Sequence, residues 1–121
     1  MNNSKKDICD RTFKFSVRAY KLCKELSHPK INETVISRQL LKSSTSVGAN
    51  VEEAQAGQSL PDFTSKYNIA LKEARETHYW LRLIKEVDVF PNGKLDSIIA
   101  ECDEIIAILT TIVKKLRAKI G

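Results

Sequence analysis

The sequence predicts an all-α fold, an antiparallel up-down-up-down four-helix bundle, and three observations lead there. Only four glycines and three prolines stand among 121 residues, too few for a β fold that must turn every ten residues or so. Apolar residues recur at steps of three and four through the C-terminal part, the spacing of one helical face. Turn chemistry gathers at Ser27-His28-Pro29, Ala56-Gly57 and Phe90-Pro91-Asn92-Gly93. These stops cut the chain into four long segments with short links, and short links favour antiparallel neighbours. The whole chain reads as one domain, long enough to bury a core without disulfides or a metal.

The first helix is expected over 5–28. Ser4 with Asp7 three residues on reads as a capping box, and Ser27-His28-Pro29 ends the helix. Phe13, Val17 and Tyr20 form one apolar row, with Phe15, Ala19, Leu22, Cys23 and Leu26 beside it. The second helix is expected over 32–56, with Asn32 as its cap. Its middle is weak, since Ser43, Ser44, Thr45, Ser46, Val47, Gly48 and Asn50 are all poor helix formers. Ile36, Leu40, Ser43, Val47, Asn50 and Ala54 nevertheless keep heptad spacing through it. A continuous helix follows, bent at Gly48 if anywhere, whose small residues let a neighbour approach closely. Asn50 is then expected to be a buried hydrogen-bonding group that fixes register.

The third helix is expected over 60–89, opened by Ser59 with Pro61 and Asp62 in its first turn, where proline loses no helical hydrogen bond. Phe63, Tyr67, Ala70, Ala74, Thr77, Leu81 and Ile84 form one row. Ile69, Glu73, Glu76, Trp80, Leu83 and Val87 form another, about 100° around the cylinder. Two apolar rows exceed what a lone bundle hides, so the second is expected to meet another subunit or a cover from the same chain. Buried carboxylates need partners, and Lys72, Arg75 or a neighbour's arginine are expected beside Glu73 and Glu76, unless these face water at the edge. The fourth helix, expected over 94–119, has the cleanest pattern. Leu95, Ile98, Cys102, Ile105, Leu109, Ile112 and Leu116 form its main stripe, with Ile99, Ile106, Val113 and Ile120 a second row.

Charge and inventory bound the function. Net charge is +5 with an isoelectric point near 9.2. Residues 1–28 carry seven Lys or Arg against three acids, and residues 105–121 carry four against none. Arg11, Lys14, Arg18 and Lys21 make a basic row on the first helix, and Lys114, Lys115, Arg117 and Lys119 end the fourth. An up-down-up-down bundle is expected to bring those two regions near one end, as a patch that attracts phosphate through counterion release. The same charges also complement a helix C-terminus and keep a protein in solution. A second cationic candidate is the outer side of the third helix, where Lys72, Arg75 and Arg82 surround Tyr79. The polar start MNNSKKD lacks the apolar stretch of a signal peptide, and no run approaches the roughly 20 residues of a membrane span. Cys9, Cys23 and Cys102 form no CxxC pair and read as small core residues of a cytoplasmic protein.

Catalytic readings fail on inventory. His28 and His78 lie on different helices, outside any HExxH pattern. Glu25 to His28 is a single Glu-x-x-His, where a di-iron bundle needs two and two further glutamates. Ser27-His28-Pro29-Lys30 has S-x-x-K spacing without its companion motifs, and Asn92-Gly93-Lys94 lacks the earlier glycine of a phosphate loop. No enzyme activity, cofactor, metal or small-molecule substrate is expected.

Two stretches, Gln39 to Ala54 (QLLKSSTSVGANVEEA) and Asp62 to Leu81 (DFTSKYNIALKEARETHYWL), resemble the motifs of the four-helix-bundle family of the 23S rRNA intervening-sequence protein. Gln39, Leu40, Ser43, Ser46, Gly48, Ala49, Asn50, Glu53 and Ala54 match the first motif; Asp62, Phe63, Lys66, Ala70, Lys72, Glu73, Thr77, Trp80 and Leu81 match the second. Lys42 stands where the family often has arginine. The resemblance implies a small antiparallel bundle assembled as a ring-like homopentamer, akin to the accessory variability proteins of diversity-generating retroelements, which are basic and bind nucleic acid and a reverse transcriptase. The resulting expectation is a non-enzymatic homo-oligomer that binds RNA or DNA through Arg11, Lys14, Arg18, Lys21, Lys114, Lys115 and Arg117. Asn50, Glu53, Ile69, Glu73, Glu76 and Trp80 are expected at the subunit interface or in a polar core. The alternative is an interaction scaffold that recruits a nucleic-acid enzyme without binding nucleic acid itself.

Overall fold

The computed structural model describes residues 3–26, 31–87 and 93–120, and these form four helices. They are α1 (Asn3–Leu26), α2 (Ile31–Gln55), α3 (Leu60–Glu86) and α4 (Asp96–Ile120). Side-chain contacts give each pairing its direction. Cys23 meets Ser37 and Ser16 meets Ser44, so α1 and α2 run oppositely. Ser43 meets Thr77 and Gln55 meets Tyr67, so α2 and α3 do too. His78 pairs with Asp103 and Lys85 with Asp96 across α3 and α4. Arg11 pairs with Glu101 and Lys94 with Glu25 across α1 and α4. Among the described residues the backbone of each helix packs closely on its two neighbours around the bundle.

The helix boundaries follow local chemistry. Ser59 caps α3 with an extended backbone, its hydroxyl accepting from the Asp62 N–H at 3.2 Å, and Pro61 occupies the first turn. α1 and α2 are helical from Asn3 and Ile31, one residue ahead of the expected caps Ser4 and Asn32, whose side chains lie outside the described residues. The expected stop at Ser27-His28-Pro29 and the loop residues Phe90-Pro91-Asn92 also lie outside them. α4 begins two residues later than expected: Gly93, at φ +85°, turns the chain, and the Asp96 N–H returns to its carbonyl at 3.3 Å.

α2 runs unbroken through its weak middle. Its hydroxyls bond back to its own carbonyls, Ser43 to Leu40, Ser44 to Leu41 and Thr45 to Leu41, so short polar side chains are satisfied inside the helix. Gly48 explains their smallness. A Cβ there would lie 3.2 Å from the Ser16 hydroxyl and 3.2 Å from the Thr12 carbonyl oxygen, tighter than an ordinary contact, so α1 crosses close against α2.

The core is built from Phe15, Leu40, Val47, Tyr67, Leu81, Ile105 and Leu109, all essentially inaccessible, with Ala19, Ala54, Ala70 and Ala74 where helices meet. Two expectations are corrected. On α1 the row Phe13, Val17 and Tyr20 is exposed, at 58%, 39% and 52%, while the row beside it is buried. Both rows have helical spacing, so periodicity alone did not say which one faced inward. On α4 the stripe passes from Leu109 to Val113, leaving Ile112 half-buried. A strict heptad drifts about 20° per repeat against the true helical period, and the stripe steps over by one residue to stay inward.

Candidate nucleic-acid and subunit interfaces

The predicted basic residues are spread along the length of the bundle and over more than one side of it, not gathered in a patch at one end. Ser97, Glu101, Glu104 and Ile108 follow one another at three- and four-residue steps along the side of α4 that faces α1, and Lys115 continues this row seven residues on. Against this row stand Arg18, bonded to Ser97 at 2.9 Å, and Arg11, bonded to Glu101 and Glu104. Because the two helices are antiparallel, Arg18 and Lys21 lie toward one end of this face and Lys115 toward the other. Arg11 opposes residues 101–104, and the cations of 114–119 lie ten or more residues further along α4, a rise of at least about 15 Å.

Their electrostatic states differ. Arg11 grips Glu101 with two nitrogens, at 2.7 and 3.2 Å, and Glu104 with one at 3.0 Å. Glu101 first and Glu104 next raise its pKa above the ordinary arginine value. It is a cation spent within the fold. Lys14 pairs with Asp10 one turn away at 2.9 Å, which raises its pKa, but both side chains are exposed. Arg117 turns to α3, donating to the Asn68 side-chain oxygen at 3.1 Å. Lys21, Lys114, Lys115 and Lys119 are exposed and make no ion pair among the described residues.

The expected polar core is redistributed. Asn50 is half-buried and donates within α2, to the Ser46 carbonyl at 2.8 Å and hydroxyl at 3.1 Å, so it bridges no helices. Register is instead set by pairs that the sequence reading did not single out as partners. Thr77 Oγ1 lies 2.9 Å from the Ser43 hydroxyl in the α2–α3 contact. Ser37 donates to the Cys23 carbonyl, and the Cys23 thiol to the Ser37 carbonyl, in the α1–α2 contact. Placing Ser43 and Thr77 on the inward row of each helix was the available signal. Glu53 is exposed and pairs with Lys66 at 3.1 Å across α2 and α3.

The outer row of α3 is an edge, neither sealed nor open. Ile69 is 38% exposed and Val87 53%, while Glu73, Glu76, Trp80 and Leu83 are half-buried. Among the described residues Glu76 pairs with neither Lys72 nor Arg75; the Trp80 indole N–H donates to it at 3.2 Å. The Glu73 carboxylate has no hydrogen bond or ion pair among the described residues. Nearby, the Arg82 guanidinium stands 5.9 Å over the exposed Tyr79 ring.

Little here suggests bond-making chemistry. Burial, before the nearby Asp103 and Glu101, pushes the Cys102 thiol up to about 12, and burial also raises Cys23. Such thiols are poor nucleophiles. No disulfide joins the three cysteines. Among the described residues no group of three or more His, Cys, Asp or Glu is placed to hold a metal, and no helix is long and apolar enough to cross a membrane. His28, and with it the Glu-x-x-His and S-x-x-K spacings, lies outside the described residues, as does Asn92.

The 23S rRNA-intervening sequence protein family matches residues 4–111. A crystal structure of a protein of unknown function, from the S23 ribosomal protein family of Bacteroides thetaiotaomicron VPI-5482, is similar in fold and sequence. It shares 41% identity over 91% of this chain and 97% of its own, with a TM-score of 0.84. No curated protein matches the chain. With the family matched over most of its length and the same helical fold in a close relative, the chain belongs to the 23S rRNA-intervening sequence protein family.

Proposed function

We propose that this protein is a non-enzymatic, cytoplasmic homo-oligomer that binds RNA through its basic surface. One observation carries the reading: the last two turns of α4 bear four cations and no acid, and Lys114, Lys115 and Lys119 have no ion-pair partner among the described residues. Counter-charges of the fold do not consume them, as Glu101 and Glu104 consume Arg11. Lys14, Arg18 and Lys21 add a second group on α1, and Arg117 adjoins the first. In this assembly the outer row of α3, with Ile69, Glu73, Glu76 and Trp80, meets a neighbouring subunit, and Asn50 and Glu53 border it from α2. The number five comes from the family resemblance. A second reading, a scaffold that recruits a nucleic-acid enzyme, draws on the exposed Phe13, Val17 and Tyr20, an apolar stripe of the kind that marks protein contacts.

The test joins RNA binding to mass. Wild type should bind single-stranded RNA with affinity falling steeply in salt, and the Lys114→Glu/Lys115→Glu double variant should lose about tenfold or more at low salt. Light scattering should give an oligomer for both proteins. Unchanged affinity in the double variant overturns the site, and a wild-type monomer at high concentration overturns the assembly.

A further inference from the structure

At the end of the bundle opposite the α4 C-terminus, the α1–α4 seam opens into a depression of about 190 Å³ lined by Arg18, Lys21, Leu22, Glu25, Lys94 and Ile98. Its floor is apolar, since Leu22 and Ile98 are buried. Its rim is cationic from two directions, with Arg18 and Lys21 on α1 and Lys94 in the turn before α4. We propose that this depression is a binding site for a phosphomonoester dianion, the terminal phosphate of an RNA strand.

Three features carry the assignment. The first is size. The depression is smaller than the several hundred Å³ that hold a whole drug-sized ligand, so it takes a charged group and leaves the rest of the molecule outside. The second is charge. Three cations and one carboxylate leave two net positive charges, matching a phosphomonoester, which carries about two negative charges at neutral pH, better than a chain-internal phosphodiester with one. The third is donor geometry. One Arg18 terminal nitrogen is anchored on Ser97 at 2.9 Å, which orients the planar fork and leaves its other N–H donors for an oxyanion. Lys94 meets Glu25 at 2.6 Å, so Glu25 positions the ammonium at the rim. Asp96, a carboxylate near this end, is held by Lys85 at 2.7 Å on the α3 side.

This site deepens the RNA-binding reading and depends on it for the source of the phosphate, so the experiment separates the two. Labelled single-stranded RNAs of about ten nucleotides, identical except for a 5′-phosphate, a 3′-phosphate or hydroxyl ends, are titrated by fluorescence anisotropy. Wild type should prefer a phosphorylated end by about tenfold at pH 7.5, the effect of one or two charge-assisted bonds. The preference should disappear in Arg18→Gln/Lys21→Gln. It should survive in Lys114→Glu/Lys115→Glu, which weakens all the RNAs alike. It should also fade toward pH 5, as the phosphate's second proton returns near pH 6. Equal binding of phosphorylated and hydroxyl RNA overturns the pocket and leaves the RNA reading standing. Should no RNA bind, inorganic phosphate decides by amide NMR: shifts confined to residues 18–25 and 94–98 and lost in the double variant keep the pocket alone, and their absence removes it. The replaced side chains lie at the surface, and an unchanged circular dichroism spectrum verifies the fold.

Discussion

The two sides of α1 hold their neighbours by opposite means. Toward α2 it presents Thr12, Ser16, Ala19 and Cys23, and the helices approach closely at Gly48, where a Cβ would stand 3.2 Å from α1 backbone. Toward α4 it presents Arg11 and Arg18, long side chains that meet Glu101, Glu104 and Ser97 at their tips. Small residues bring backbones together and bury their polar groups against each other. Long charged residues bridge a wider gap and leave depressions between the bridges. The α1–α2–α3 side is therefore the closely packed part of the bundle, and the α1–α4 seam is the side on which exposed charge and room coincide.

The largest effect should come from filling the close crossing. In Gly48→Val, carbon would stand where Thr12 backbone and the Ser16 hydroxyl already sit within 3.2 Å. Backbone cannot rotate away as a flexible side chain does, so overpacking of about 3 kcal/mol is expected, well beyond any gain in helix propensity. Urea unfolding followed by circular dichroism measures it. A loss under about 1 kcal/mol would mean that the α1–α2 contact is looser than the geometry implies.

Next in size is the α2–α3 register bond. Thr77 Oγ1 lies between the Ser43 hydroxyl at 2.9 Å and the Glu73 carbonyl at 2.8 Å, and all of this is inside the bundle. Thr77→Val keeps the shape and removes the hydroxyl, which should cost about 1.5 kcal/mol. In a double-mutant cycle with Ser43→Ala, the two should couple by about 1 kcal/mol, because each leaves the other without its interhelical partner. Additive losses would show that both hydroxyls are satisfied by their own helices alone.

These contacts also show what could be read from the sequence. The four helices, the uninterrupted α2 and the Ser59–Pro61 start of α3 were legible, because period, capping chemistry and proline placement are local properties. The small residues flanking Gly48 announced a close crossing for the same reason. Partners were not legible. Asn50 was expected to span helices and bonds to Ser46, whereas Ser43 and Thr77 do the spanning. A side chain's reach depends on where the neighbouring helix lies, which no single-helix pattern contains. The inward face of α1 was ambiguous for a related reason. Phe13, Val17 and Tyr20 are as apolar and as regular as the buried row, and only the positions of α2 and α4 decide between them. The basic residues were found, but charge counts did not reveal that Arg11 is already neutralised.

The smallest effect belongs to the charged seam, and it is the one that salt should change. Arg11 binds two carboxylates, which favours a measurable contribution, yet its side chain is 30% exposed and that of Glu104 is 64% exposed, so water screens both. Arg11→Gln keeps the stem and some hydrogen bonding while removing the charge. The expected loss is about 1 kcal/mol or less at low ionic strength. At about 1 M salt, where the screening length shrinks to roughly 3 Å, most of that difference should vanish. The losses in Gly48→Val and Thr77→Val come from packing and buried hydroxyls and should change little over the same range. A salt-independent loss in Arg11→Gln as large as that of Gly48→Val would mean that the α1–α4 seam is as tightly built as the rest. The depression beside it would then be a fixed feature of a rigid wall, with no long, solvent-screened bridges at its side.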